Sequence, residues 1–186
     1  AGNDTVDYAD AAGGVTVSLA TGAFQATGGS GLDLLSSIEH LAGSAFNDSL
    51  SGNAGANRLA GGTGHDTLNG SSGADTMVGG LGDDVFYFDN AGDVIVEDAG
   101  GGTDEVRTYG SHAMAANVEN LRIVTTGAVS VTGNALDNTL FAAAGSNLFY
   151  GLAGNDTVDY AGGQADGDTA SLATGAFQAT GGSGLD

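Results

Sequence analysis

From Gly43 onward the chain sets one apolar residue in every nine. Leu50, Leu59, Leu68, Met77 and Phe86 occupy the eighth place of five uninterrupted units: GSAFNDSLS (43–51), GNAGANRLA (52–60), GGTGHDTLN (61–69), GSSGADTMV (70–78) and GGLGDDVFY (79–87). Glycine opens each unit, and the sixth place holds Asp48, Asn57, Asp66, Asp75 or Asp84. The register persists in FDNAGDVIV (88–96), with Asp93 and Ile95, and in AGGGTDEVR (99–107), with Asp104 and Val106. A second run covers GNALDNTLF (133–141), AAAGSNLFY (142–150) and GLAGNDTVD (151–159), the last with Asp156 in sixth place. The first seven residues, AGNDTVD, match the end of such a unit and place Asp4 there.

A nine-residue period is neither a helix nor a long strand. Six residues rich in Gly, Asp and Asn make a turn, because Gly and Asn tolerate positive φ. The remaining three, polar-apolar-polar, make a short strand with one side chain pointing inward. Two units then form one flattened coil of 18 residues, and residues 18 apart stack at about 4.8 Å. This predicts an all-β parallel solenoid. Asp48, Asp66 and Asp84 line one edge of it, and Asn57, Asp75 and Asp93 the other. Carboxylates stacked that closely do not stay ionised without counter-charge, and a cation between successive turns supplies it.

Composition sharpens the picture. The chain carries 23 acidic residues against three arginines, a net charge of -20, with 35 glycines and no proline, cysteine or lysine. Nucleic acid and anionic membrane surfaces are excluded as expected partners, since both require clustered Lys and Arg. No run of 18 apolar residues is present, so no membrane insertion is expected. Leu, Ile, Val and Phe make up only 39 of 186 residues, close to the limit below which a highly charged chain stays disordered. Folding therefore calls for neutralisation of the carboxylates, and oxygen ligands of this kind suit calcium.

A longer repeat overlies the short one. Residues 1–9 and 153–161 are identical, as are 18–33 and 171–186. The chain reads as one unit, 1–152, followed by the start of the next copy, 153–186, and as a mature piece or fragment of something longer. Between the nonapeptide runs (43–107 and 133–159), VTVSLATGAFQAT (15–27, with a turn at Thr21-Gly22), Ile38–Leu41, Val118–Leu121 and Val129–Thr132 read as further coils of the same solenoid. SHAMAANVEN (111–120) is the one stretch that suggests a helical turn.

GGTGHDTLN and GGLGDDVFY fit G-G-x-G-x-D-x-apolar-x at every fixed position. Here the sequence resembles the repeats-in-toxin (RTX) family of calcium-binding nonapeptide repeats. The resemblance implies a right-handed parallel β-roll binding several Ca2+ ions, each between turns two units apart and held by turn carbonyls and sixth-place Asp. Carried onto this chain, the best site joins turns 61–66 and 79–84, with Gly61, Thr63, Asp66, Gly80, Gly82 and Asp84 as ligands. Asp48 adds a site despite Phe46 in a glycine place, as do Asp75 and Asp93 despite Ser71. Asp104, Asp156 and Asp4 lie in weaker turns. Asn57 and Asn138 bind weakly or not at all, and turn 142–147, with Asn147, binds none.

No His-Glu-x-x-His or Gly-x-Ser-x-Gly pattern occurs, so no enzymatic activity is expected. The family resemblance implies an extracellular or cell-surface setting. The copied long unit favours a structural array of the adhesin, surface-layer or fibre type, in contact with other copies of itself. The alternative is the calcium-binding appendage of a secreted hydrolase or toxin.

Overall fold

The computed structural model describes residues 2–160, 169–171 and 177–180; much of the second sequence copy, 153–186, thus lies outside the described residues. The chain packs into two compact units, 1–102 and 103–186, a division by packing that differs from the division by copying.

In the first unit the strands are β1 (Thr5–Asp7), β2 (Thr16–Ser18), β3 (Gln25–Gly28), β4 (Gly31–Asp33), β5 (His40–Ala42), β6 (Ser49–Ser51), β7 (Arg58–Thr63), β8 (Thr67–Asn69), β9 (Thr76–Leu81), β10 (Val85–Phe88) and β11 (Val94–Val96). They alternate between two parallel sheets, β1-β5-β7-β9-β11 and β2-β6-β8-β10. Thr67 pairs with Val85, Arg58 with Thr76 and Thr76 with Val94, each a step of 18 residues. The two-unit coil inferred from the nonapeptide is thus the structural repeat. Leu50, Leu68 and Phe86 stack within one sheet, and Leu41, Leu59 and Met77 within the other; all are at most 1% exposed. Each such side chain contributes about 1.5–3 kcal/mol of burial, and the coil offers only two per 18 residues.

The second unit holds β12 (Glu105–Thr108), β13 (His112–Ala113), β14 (Asn120–Ile123), β15 (Ser130–Thr132), β16 (Thr139–Phe141), β17 (Leu148–Tyr150), β18 (Asp156–Asp159), β19 (Thr169–Ser171) and β20 (Phe177–Thr180). Its parallel sheets run β12-β14-β16-β18-β20 and β13-β15-β17-β19. Val106, Leu121, Leu140 and Val158 form one inward column, and Val131 and Phe149 stack in the other sheet. On the outer face Glu105 binds Arg107 at 2.7 Å and Arg122 at 3.1 Å, and Arg122 lies 4.0 Å above the Phe141 ring.

Two expectations change. Residues 111–120 form no helical turn: His112 pairs with Val131, Met114 donates its amide to Thr132, and Asn117 adopts φ 64°. Met114 and Val118 are buried four residues apart, which imitates a helical face, but strand pairing holds the first and a left-handed turn separates them. Residues 15–27 are not simply another coil. Their turn lies at 19–20 rather than at Thr21-Gly22, and only β2 joins the solenoid. β3 instead pairs antiparallel with β4 in a hairpin, anchored where Tyr8 and Thr27 donate to Asp33 at 3.2 and 2.8 Å. The hairpin makes that coil 35 residues long, from Thr5 to its partner His40, while Val6 still stacks on Leu41.

Candidate metal centre

The sixth-place side chains form a ladder along the coil edges. Asp48 N–H donates to Asp66 Oδ1 at 2.8 Å, and Asp66 N–H to Asp84 Oδ1 at 2.7 Å. On the opposite edge Asn57 N–H donates to Asp75 Oδ1 at 2.7 Å, and Asp75 N–H to Asp93 Oδ1 at 3.1 Å. In the second unit Asn138 N–H donates to Asp156 Oδ1 at 2.9 Å. Each bond spans 18 residues because the coil does. One carboxylate oxygen is thereby committed to the neighbouring coil, and the other faces its own turn.

Glycine is required in these turns for two reasons that coincide. Gly80 and Gly82 have φ of 111° and 123°, which side-chain-bearing residues adopt at a cost. A Cβ on either would also strike the carbonyl of Gly62 or Gly64 in the preceding coil. Carbonyls of the second and fourth places therefore abut the next turn directly. At the first place, a Cβ on Gly61 or Gly70 would collide with Asp66 or Asp75 Oδ2, and one on Gly79 with both Asp84 Oδ2 and Glu97 Oε2. The carboxylates lie against bare α-carbons, and Asp84 and Glu97 converge on one spot.

Asp66, Asp75 and Asp84 are each 1% exposed. Burial pushes the Asp66 carboxyl up to about 7; the Asp48 amide opposes this, while the Asp84 and Asp48 carboxylates add to it. Burial likewise lifts Asp75 to about 6, against the Asn57 amide and with help from Asp93 and Asp89. Asp84 and Asp156 are raised, chiefly by burial. Asp66 Oδ2 and Asp75 Oδ2 are buried without a hydrogen-bond donor. A buried charged oxygen with no partner costs several kcal/mol unless a proton or a cation satisfies it. The surrounding donors are carboxylate and backbone oxygens, the set chosen by a hard ion such as calcium rather than by a thiolate- or imidazole-seeking one. The residues therefore fit the ion. Asp66, Asp84 and the carbonyls of turns 61–66 and 79–84 would hold it on one edge, and Asp75 with the carbonyls of turn 70–75 on the other. Bound there, it supplies the positive charge that lets the column ionise.

These raised values fix a pH dependence. In the metal-free fold Asp66 and Asp75 keep protons up to about pH 7 and 6, whereas in the unfolded chain they release them near pH 4. Between these limits the folded form binds more protons, so the metal-free fold loses stability as pH rises from about 4 to 7. In EGTA the chain should therefore keep more β signal near pH 5 than at pH 7.5, since protons then do part of the neutralising. Far-UV circular dichroism across this range in EGTA measures it, and more β signal at pH 7.5 than at pH 5 would contradict the assignment.

The remaining candidates are placed as follows. Gly61 is buried and Thr63 exposed, while Gly80 and Gly82 are half-buried; all four lie in turns 61–66 and 79–84. Asp48 is buried on the same edge as Asp66, but Ser44 N–H and Oγ donate to its Oδ2 and Oδ1 at 2.5 and 2.8 Å, and Val15 N–H to Oδ1 at 2.7 Å. Asp93 is half-buried and also accepts from Asn90 N–H at 3.1 Å. Asp104 and Asp156 are buried in the second unit. Asp4 is exposed, its amide donating to Glu39 Oε2 at 3.0 Å. Glu39 and Glu119 had not been singled out. Glu39 receives the Asp4 amide and Glu119 the Asp104 amide at 2.9 Å, so both act as rungs of the ladder. Their signal was an acid two residues before a buried leucine, Leu41 or Leu121, without a glycine turn ahead of it.

A family model described as the RTX calcium-binding nonapeptide repeat matches the chain in four copies, over residues 27–68, 51–86, 60–95 and 132–164. No curated protein matches the chain.

Proposed function

Because these matches, spanning 27–95 and 132–164, cover more than half of the 186 residues, the chain belongs to the RTX calcium-binding nonapeptide repeat family, and we propose that it is a calcium-folded structural segment of a secreted tandem-repeat protein of adhesin, surface-layer or fibre type. The calcium-binding β-roll follows from the family. The observation that carries the choice of ion sites is the buried, donor-free Oδ2 of Asp66 and of Asp75 inside turns of the family pattern. Support for an array comes from the sequence: residues 18–33 recur unchanged as 171–186. A unit copied with so little drift is explained by selection for length or valency, which an appendage on an enzyme does not need. A structural, non-catalytic role outside the cell is part of the same proposal. Among the described residues no helix is long and apolar enough to cross a membrane.

Electron microscopy in millimolar calcium tests the array reading. Fibres with an axial repeat tied to the 152-residue unit are expected, loosening on chelation as the charge of -20 loses compensation. A protein that remains a monomer at high concentration in calcium would favour the appendage of a secreted hydrolase or toxin.

A further inference from the structure

The turns of the two unbroken runs, 43–87 and 133–159, fall into two kinds, and the second residue separates them. In turns 61–66, 70–75, 79–84 and 151–156 that residue is Gly62, Ser71, Gly80 or Leu152, with φ of 113°, 63°, 111° and 71°. All four of these turns carry Asp in sixth place. In turns 43–48, 52–57, 133–138 and 142–147 the second residue is Ser44, Asn53, Asn134 or Ala143, and none of these has positive φ.

With the backbone turned this other way, the turn satisfies itself. Ser44, Asn53 and Asn134 point their amides at the sixth side chain of their own turn, at 2.5, 2.7 and 2.8 Å to Asp48 Oδ2, Asn57 Oδ1 and Asn138 Oδ1. The amide nitrogens of the sixth-place asparagines complete the closure by donating to carbonyls. Asn57 Nδ2 reaches Glu39 O at 3.1 Å, Asn138 Nδ2 reaches Val118 O at 3.1 Å, and Asn147 Nδ2 reaches Ala143 O at 2.9 Å. A side-chain NH2 thus stands where a cation would otherwise meet those oxygens. In turns 61–66 and 70–75 the sixth side chain is left otherwise: Asp66 and Asp75 each keep a buried oxygen, Oδ2, without a donor.

We infer that the backbone conformation of the second turn residue selects where calcium binds: turns 61–66 and 70–75, with positive φ there, are open and take ions, and turns 43–48, 52–57, 133–138 and 142–147 are closed by their own hydrogen bonds and take none. The inference rests on the calcium-binding reading above and deepens it. A sixth-place Asp alone does not make a site, because Asp48 is already satisfied. Glycine at the fourth place does not open a turn either, since Gly55 in turn 52–57 lacks positive φ.

Native mass spectrometry of the full chain at saturating calcium counts the ions. Asp48→Asn should leave the count unchanged. Asn57→Asp alone should add none, because the Asn53 amide still caps the new carboxylate. Asn53→Gly with Asn57→Asp gives the turn Gly-Gly-Ala-Gly-Ala-Asp and should add one ion. Loss of an ion in Asp48→Asn, gain of one in Asn57→Asp alone, or no gain in the double variant would overturn the inference while leaving calcium binding intact. A wild-type chain that takes up no calcium would overturn both this and the reading beneath it. The gain expected of the double variant keeps the test decisive even if Asp48→Asn folds poorly.

Discussion

Chelation with EGTA should collapse the β signal of this chain to that of an expanded coil, and millimolar calcium should restore it. Two features set the size of the effect. The core supplies one inward apolar residue per nine, and the chain carries a charge of -20 with carboxylates stacked one coil apart. The metal-free fold must either protonate Asp66 and Asp75, whose carboxyls sit at about 7 and about 6, or hold buried like charges together. Ions remove that conflict, and because the sites do not exist in the unfolded chain, their binding energy is folding energy. Extracellular calcium modules bind with Kd of ~10⁻⁴–10⁻³ M. At ten times Kd each site adds about 1.4 kcal/mol, and several sites add together. Far-UV circular dichroism decides the matter, and a β spectrum that persists in EGTA would refute it.

Asp66 should be the most damaging carboxylate to remove. Its Oδ1 holds the Asp48 amide and its Oδ2 is offered to the ion. Asp66→Ala therefore leaves a buried N–H unsatisfied, at about 1–3 kcal/mol, and deletes an ion ligand as well. Asp66→Asn separates the two losses: the carbonyl oxygen still accepts from Asp48, but the charge is gone. Both variants should lose at least one ion and require severalfold more calcium to fold, with Asp66→Ala the worse. Asn57→Ala should lose no ion, since its amide donates to Glu39 O and faces no cation. Calorimetric titration reads the stoichiometry, and equal ion loss in Asp66→Ala and Asn57→Ala would show that the edges have been assigned wrongly.

Much of this was legible because the nonapeptide carries so little information beyond its punctuation. One apolar residue in nine admits one inward position, so the 18-residue step and the three-residue strands β6 and β8 followed directly, while β7 and β9 run six residues, on into the following turn; Leu50, Leu68 and Phe86 stack as expected. The carboxylate ladder followed from the same step. Other features depend on partners that sequence spacing does not reveal. Residues 111–120 suggested a helical turn because the pairing of His112 with Val131 and the left-handed Asn117 are not readable from local spacing. Glu39 and Glu119 escaped notice because the coils they serve lack the glycines that mark the others. The closure of turn 43–48 was hidden in Ser44, a residue that by type alone suits either an open or a closed turn; Ser71, in the same place, adopts positive φ.

The 35-residue coil between Thr5 and His40 shows what this architecture counts. It does not count residues; it counts inward side chains, and whatever lies between two of them can be extruded if its ends return to the stack. Residues 22–24, exposed between β2 and β3 with nothing near Gly22, are thus a natural graft point. A foreign peptide carried there would be displayed once per copy along an array, at intervals set by the calcium-bound coils, without disturbing the pairing of Val6 with Leu41. For a surface scaffold, that separates what is shown from what holds it up.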